Sequence, residues 1–388
     1  DINITKKMKE ITKDNWLTPP NNRWSFQNMS SLFKTIKLQK SISPVVLSKN
    51  LKSIESFEFE GLEGKKTIRQ MLDESFTDAF VVIKDSKIVF EEYQNNMDQG
   101  SLHLMNSVSK SFVGMLLGIL AEENKLNPKD KVIQYIPELE KSAFGETTIQ
   151  HALDMTAAVK FSENYDETNS KFWHEAAVVG WRPELMENDS KKTLLAYMSD
   201  LDETSQKDNE KFDYRTVLTN IVALTAERAC GKKFQTLLQE YIWDKLCAEF
   251  DAEIVTDESG FPYMGAGMNA SAIDLAKFGL MLMNNGVFNS TRVIPEAWIQ
   301  DTLAQDKKYK SNFAKSEYAL RLPDFHYKNQ MWVGNETTML CLGIYGQAIL
   351  IDQKNKVVIV KLSSHPEPDD PIILGNTFLG ISAIQEKI

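Results

Sequence analysis

The segment from Ser107 to Lys125 constrains this chain more than any other. Its spacing predicts a helix in which Val108, Phe112, Val113, Leu116, Leu117, Ile119 and Leu120 cover nearly every face. A short helix that is apolar all round lies in the middle of a protein, so the rest of the chain must wrap it. At 388 residues the chain is long enough to do so, and length alone allows two or three domains. The segment opens Ser107-Val108-Ser109-Lys110, which sets a serine and a lysine one helical turn apart on the same face. A lysine in the first turn of a buried helix costs stability, which makes it a candidate for chemistry. Burial lowers the pKa of an amine and fits it to act as a base. The free N–H groups at a helix start favour negative charge, such as an oxyanion formed at Ser107. Taken alone, a serine in this place is more often a helix cap. A second Ser-x-x-Lys, Ser31 to Lys34, is followed by no buried helix and is assigned no chemistry.

The flanking patterns say what surrounds that helix. Residues 1–65 are polar, with Pro19-Pro20 and no sustained periodicity before Leu32, and read as an irregular extension over the surface. Thr67 to Glu74 is a short amphipathic helix. Ala79 to Ile83 and Ile88 to Phe90, around the polar Lys84-Asp85-Ser86-Lys87, read as a β-hairpin. Helical patterns broken by polar loops follow over residues 130–260, notably Leu194 to Met198 and Val217 to Ala229. Ala270 to Asn284 is a further amphipathic helix ending at Asn285-Gly286. Then the period changes: Gln347 to Asp352 and Lys356 to Leu362 are β-rich, and Leu374 to Lys387 closes the chain as a helix. The expected class is α/β (α+β), with strands from both ends of the chain sharing one antiparallel sheet flanked by helices. The expected division is an extension at 1–65, a sheet domain from 66–105 and 280–388, and an inserted, mainly helical region at 106–279.

Composition excludes more than it identifies. With 42% hydrophobic and 25% charged residues the chain is not of the disordered class. A net charge of -10 argues against a nucleic-acid partner, because Lys6-Lys7 and Lys307-Lys308 sit among acidic residues. Cys230, Cys247 and Cys341 show no metal-ligand spacing, the five histidines are scattered, and neither metal nor other cofactor is expected. No apolar run is long enough to cross a bilayer, the longest being Phe112 to Ala121. The chain starts at Asp1. An exported enzyme whose leader has been removed fits that start, and a trimmed cytoplasmic one fits it equally.

Five segments, in order, resemble the class C β-lactamases, the serine esterases related to them and above all the 6-aminohexanoate-dimer (nylon oligomer) hydrolases. They are Met105 to Lys110, Thr148 to Thr156, Phe212-Asp213-Tyr214, Gly265 to Gly279, and Gly343-Ile344-Tyr345-Gly346-Gln347. The resemblance runs roughly from Ala79 to Leu362 and implies the β-lactamase/transpeptidase-like fold. It implies Ser107 as nucleophile, Lys110 as general base and Tyr214 as proton shuttle, with the backbone N–H groups of Ser107 and Ile344 as oxyanion hole. Trp181, Tyr345 and Gln347 are the substrate contacts it implies, although each also fits a packing role, and Tyr165 with its acidic neighbours falls in the same region. Two departures stand out. Tyr214-Arg215-Thr216 lacks the asparagine of the usual Tyr-x-Asn, and Cys341-Leu342-Gly343 replaces Lys-Thr-Gly, which argues against efficient β-lactam turnover. The implied activity is hydrolysis of a small-molecule amide or ester through an acyl-enzyme. The alternative is a penicillin-binding-type sensor that is acylated without efficient turnover.

Overall fold

The computed structural model describes residues 10–186 and 192–388. The first nine residues of the expected extension, with Lys6-Lys7, and residues 187–191 in the region of polar loops lie outside the described residues.

A seven-stranded antiparallel sheet forms the frame. Its order is His326–Lys328, Met331–Asn335, Thr338–Gly343, Gln347–Asp352, Val357–Ser363, Thr77–Lys84 and Lys87–Tyr93. Strands from the two ends of the sequence meet where Val357–Ser363 pairs with Thr77–Lys84, Val360 opposite Val81. Every residue of Gln347–Asp352 and Val357–Ser363 is buried, so these central strands are covered on both faces and are apolar almost throughout. One cover is the helix Ala272–Met283: a Cβ added at Gly279 would lie 2.5 Å from Val358 Cγ1. The C-terminal helix Pro371–Lys387 rests on the short strand Glu58–Gly61 and on the helix Ile68–Glu74. Thr67 caps that last helix reciprocally with Gln70, the pattern that fixes where it begins.

Between the two halves of the sheet in sequence comes the helical region that holds the apolar helix. The helix spans Ser109–Glu122, and all its residues from Ser109 to Leu120 are buried. Its closest neighbour is the turn at Asn329-Gln330, where a Cβ at Gly114 would lie 2.0 Å from the Asn329 carbonyl oxygen. The helix Thr216–Cys230 packs beside it. A second, four-stranded sheet runs Thr35–Leu38, Ala252–Val255, Met268–Ala270 and His103–Leu104, and its last strand feeds the start of the apolar helix.

The N-terminal segment is less superficial than its polarity suggests. Trp16, Asn22, Ser25 and Phe26 are buried, and Thr35–Leu38 is paired with Ala252–Val255. Isolated aromatic residues in a polar stretch carry no periodicity, so burial there comes from tertiary packing that no local pattern announces. Among the described residues no helix is long and apolar enough to cross a membrane.

Because the Asn329 carbonyl is backbone and cannot swing aside, Gly114→Ala is expected to destabilise the fold by about 1–3 kcal/mol. A lower urea midpoint with an unchanged slope is the measurement that checks it.

Candidate active site

The serine is presented by a tight turn. Asn106–Val108 is a 3₁₀ turn that runs directly into the helix Ser109–Glu122. Asn106 has φ +47°, the left-handed region that asparagine tolerates better than most residues. Three contacts hold it there. Ser109 Oγ donates to the Asn106 carbonyl at 2.7 Å, the Met268 N–H donates to Ser109 Oγ at 3.1 Å, and Asn106 Nδ2 donates to the Ile344 carbonyl at 3.1 Å. Ser107 keeps 7% of its surface exposed, so the site is nearly closed.

Lys110 Nζ lies 2.9 Å from Ser107 Oγ, 3.0 Å from Thr216 Oγ1 and 2.6 Å from the Gly265 carbonyl oxygen. In its ammonium form all three hydrogens are therefore placed. Gly265 can come this close only without a side chain, since a Cβ would lie 2.4 Å from Thr216 Cγ2. Its N–H donates to Asn220 Oδ1 at 3.0 Å, one helical turn beyond Thr216. Burial pulls the lysine down to about 8, against the opposing pull of the buried carboxyls of Glu163 and Glu175. A lysine at that value is partly unprotonated near neutrality and can take a proton from a hydroxyl in hydrogen-bond contact.

Tyr214 stands over the same pair. Its ring stacks on Trp332 at 5.4 Å between centroids, and Lys110 Nζ is 4.8 Å from its own centroid. Burial pushes the phenol well above its ordinary value, and hydrogen bonding with Ser107 opposes that shift. Ser107, Lys110 and Tyr214 are thus brought together from three distant parts of the chain. The Ile344 backbone arrives with the strand Thr338–Gly343. A Cβ at Gly343 would meet the Met105 carbonyl at 2.5 Å and the Ser107 nitrogen at 3.0 Å, so that strand abuts the serine turn directly.

The remaining three expected site residues are placed otherwise. Gln347 is buried and its amide is spent on backbone: Nε2 reaches the carbonyls of Ile344, Tyr345 and Ser363, and Oε1 accepts from the Ser363 N–H. It clamps the turn that carries Ile344. Tyr345, at φ +64° within that turn, is buried edge-on against Phe26. Trp181 is 2% exposed, lodged between Trp16, Phe33 and Tyr263, and its carbonyl accepts from Trp16 Nε1. The N-terminal segment therefore packs on two of the three residues that the resemblance assigned to substrate, Trp181 and Tyr345.

Glu175 and Asn220 escaped the sequence reading, and Glu163 entered it only as one of the acidic neighbours of Tyr165. The Thr216 N–H donates to Glu163 Oε1, and Glu175 is wholly buried nearby. The one available signal was the spacing of Thr216 and Asn220, polar and four apart on an otherwise apolar helix face. Among the described residues no three or more His, Cys, Asp or Glu side chains are placed to hold a metal ion.

The profile of the family Beta-lactamase matches residues 65–379. A 6-aminohexanoate-dimer hydrolase from Paenarthrobacter ureafaciens is 30% identical over 362 residues, covering 93% of this chain and 90% of that protein. A solved structure from Bacillus anthracis, provisionally named a 6-aminohexanoate-dimer hydrolase, superposes with TM-score 0.88 at 28% identity, covering 98% of both chains. A Bacteroides dorei DSM 17855 protein, provisionally named a β-lactamase, shares the fold at TM-score 0.64 and 19% identity over 82% of this chain and 96% of its own.

The amine of Lys110 loses its proton as pH rises through about 8. The rate at which a fluorophosphonate attaches to Ser107, followed by intact mass, is therefore expected to climb through that pH. Lys110→Met should flatten the profile at its acid-side level.

Proposed function

The chain belongs to the β-lactamase family of hydrolases, and from that premise we propose that it opens the amide or ester bond of a short acyl compound through an acyl-enzyme on Ser107. The observation that carries this reading is the 2.9 Å contact between Lys110 Nζ and Ser107 Oγ inside a nearly closed site.

Ser107 Oγ forms a bond to the substrate carbonyl carbon while its proton passes to Lys110 Nζ. The charge that develops on the carbonyl oxygen is received by the N–H groups of Ser107 and Ile344, donors already fixed in direction before reaction begins. Tyr214, in contact with both Ser107 and Lys110, gives its proton to the departing amine or alcohol as the bond from that group to carbon breaks, and takes in exchange the proton held by Lys110. Water then enters the vacated place and attacks the acyl carbon, its proton passing by the same groups to Ser107 Oγ as the bond from Oγ to carbon breaks and the acid leaves.

Two findings favour this over β-lactam chemistry. Cys341, standing where a cation would meet the β-lactam carboxylate, is buried with its sulfur 3.6 Å from Met331 Sδ. The named substrate of the 30%-identical relative is an amide-linked dimer of an amino acid, which inclines the proposal toward amides. Thr216 in place of asparagine favours one second reading, a protein acylated on Ser107 that does not turn over.

Intact-protein mass after fluorophosphonate treatment tests the nucleophile. A single adduct is expected on the wild type and none on Ser107→Ala. On any amide or ester that the wild type hydrolyses, Ser107→Ala should lose at least about a thousandfold in kcat. Adducts that form with such substrates but never release acid would instead establish the second reading.

A further inference from the structure

We propose that Glu163, holding a negative charge behind Lys110, acts through Thr216 to stabilise the ammonium Lys110 becomes when Ser107 attacks. The proposal rests on the serine–lysine reading above and adds to it the counter-charge that reading lacks. The step moves one proton, from Ser107 Oγ to Lys110 Nζ, and leaves a full positive charge on a side chain that is 1% exposed. Such a charge is costly away from water unless it is paired.

Thr216 is the link. Its Oγ1 accepts from Lys110 Nζ at 3.0 Å, which leaves its own hydrogen free, and its backbone N–H donates to Glu163 Oε1. One hydroxyl can accept from the lysine and donate to the carboxylate at once. That gives a reason for threonine where the family usually has asparagine.

The second carboxyl explains why Glu163 is the charged one. Glu175 is wholly buried and Glu163 half-buried with its Oε2 closed off from solvent, and the charge on Glu163 raises the cost of ionising Glu175. Glu163 receives the Thr216 N–H. Glu175 has the Asn220 amide beside it and, among the described residues, no cation in contact, so burial, aided by the charge on Glu163, pushes it up to about 8 and it keeps its proton at neutral pH. The other titratable groups facing Glu163 are Lys110, the phenols of Tyr165, Tyr214, Tyr263 and Tyr318, and Arg215. Arg215 is engaged elsewhere, its Nη2 lying 3.0 Å from Asp213 Oδ2.

The test reads the lysine without knowing the substrate: the rate of fluorophosphonate labelling of Ser107 against pH, in wild type, Glu163→Gln and Glu163→Asp. Glu163→Gln should move the midpoint down by about one pH unit and lower the alkaline plateau about tenfold. Glu163→Asp should restore part of both. A folded Glu163→Gln, with a wild-type thermal midpoint, that keeps the wild-type profile would overturn the proposal. If Glu163→Gln does not fold, the near-isosteric Thr216→Val carries the test, with the same downward shift expected and an unmoved midpoint fatal. No labelling of Ser107 in the wild type would sink the serine–lysine reading itself, and this proposal with it, whereas labelling unaffected by Glu163 sinks only this one.

Discussion

The candidate site is arranged around one buried amine, that of Lys110. Lys110 has almost no contact with water, and its position from the ordinary 10.5 to about 8 corresponds to roughly 3 kcal/mol against the charged form. That cost is kept in bounds because three oxygens from three parts of the chain converge on Nζ: Ser107 before the helix, Thr216 on its neighbour, and Gly265 on the loop beneath. Replace any of these with an apolar atom and the amine loses its direction as well as its solvation. The apolar helix does two jobs at once, since the residues that bury it also set the basicity of the group it carries.

That arrangement depends on backbone segments approaching more closely than side chains allow. Gly265 lets a carbonyl reach the lysine past Thr216, Gly343 lets a strand lie on the Ser107 turn, and Gly114 lets the helix touch the Asn329 carbonyl. The strained φ at Asn106 belongs to the same design, because it aims the serine and is held by Ser109 and by the strand that ends at Gly343. Such strain survives only where the surroundings over-determine it. Here Gln347 adds a further tie by fastening the Ile344 turn to Ser363. Gln347, expected among the substrate contacts, has its amide engaged in holding the turn that carries Ile344.

How much of this could be read from the chain depends on the range of each interaction. The helix at Ser109–Glu122 was plain because its apolar positions are adjacent in sequence and its lysine is anomalous there. The hairpin Thr77–Lys84 with Lys87–Tyr93 and the pair Gln347–Asp352 with Val357–Ser363 announced themselves by β-rich runs around a polar turn. His326–Lys328 and Met331–Asn335 did not, being too short to show a period, and neither did the four-stranded sheet built of two- to four-residue strands. Tyr214 was singled out only by the resemblance, since no local feature separates it from a core tyrosine. Glu163 was legible only as an acidic neighbour of Tyr165, without a role of its own. In sequence it is one acid among several in a polar loop, and its meaning arises only where the loop folds back onto Thr216.

The same reasoning bears on the N-terminal segment. Trp16 and Phe33 pack on Trp181, Phe26 packs on Tyr345 and His103, and the Phe26 carbonyl accepts from the Leu104 N–H at 2.8 Å. Arg23 and Asn22 join it to the end of the strand Val357–Ser363, through Ser364 Oγ and the His365 carbonyl. This polar stretch therefore touches the strand before Ser107, the turn bearing Ile344 and the loop bearing Trp181, three elements that otherwise meet only at the site. Its contribution is geometric: it fixes the relative positions of groups whose chemistry belongs to other segments. That is why Trp16, Phe26 and Phe33, in a stretch with no periodicity of its own, are buried as firmly as the core they border.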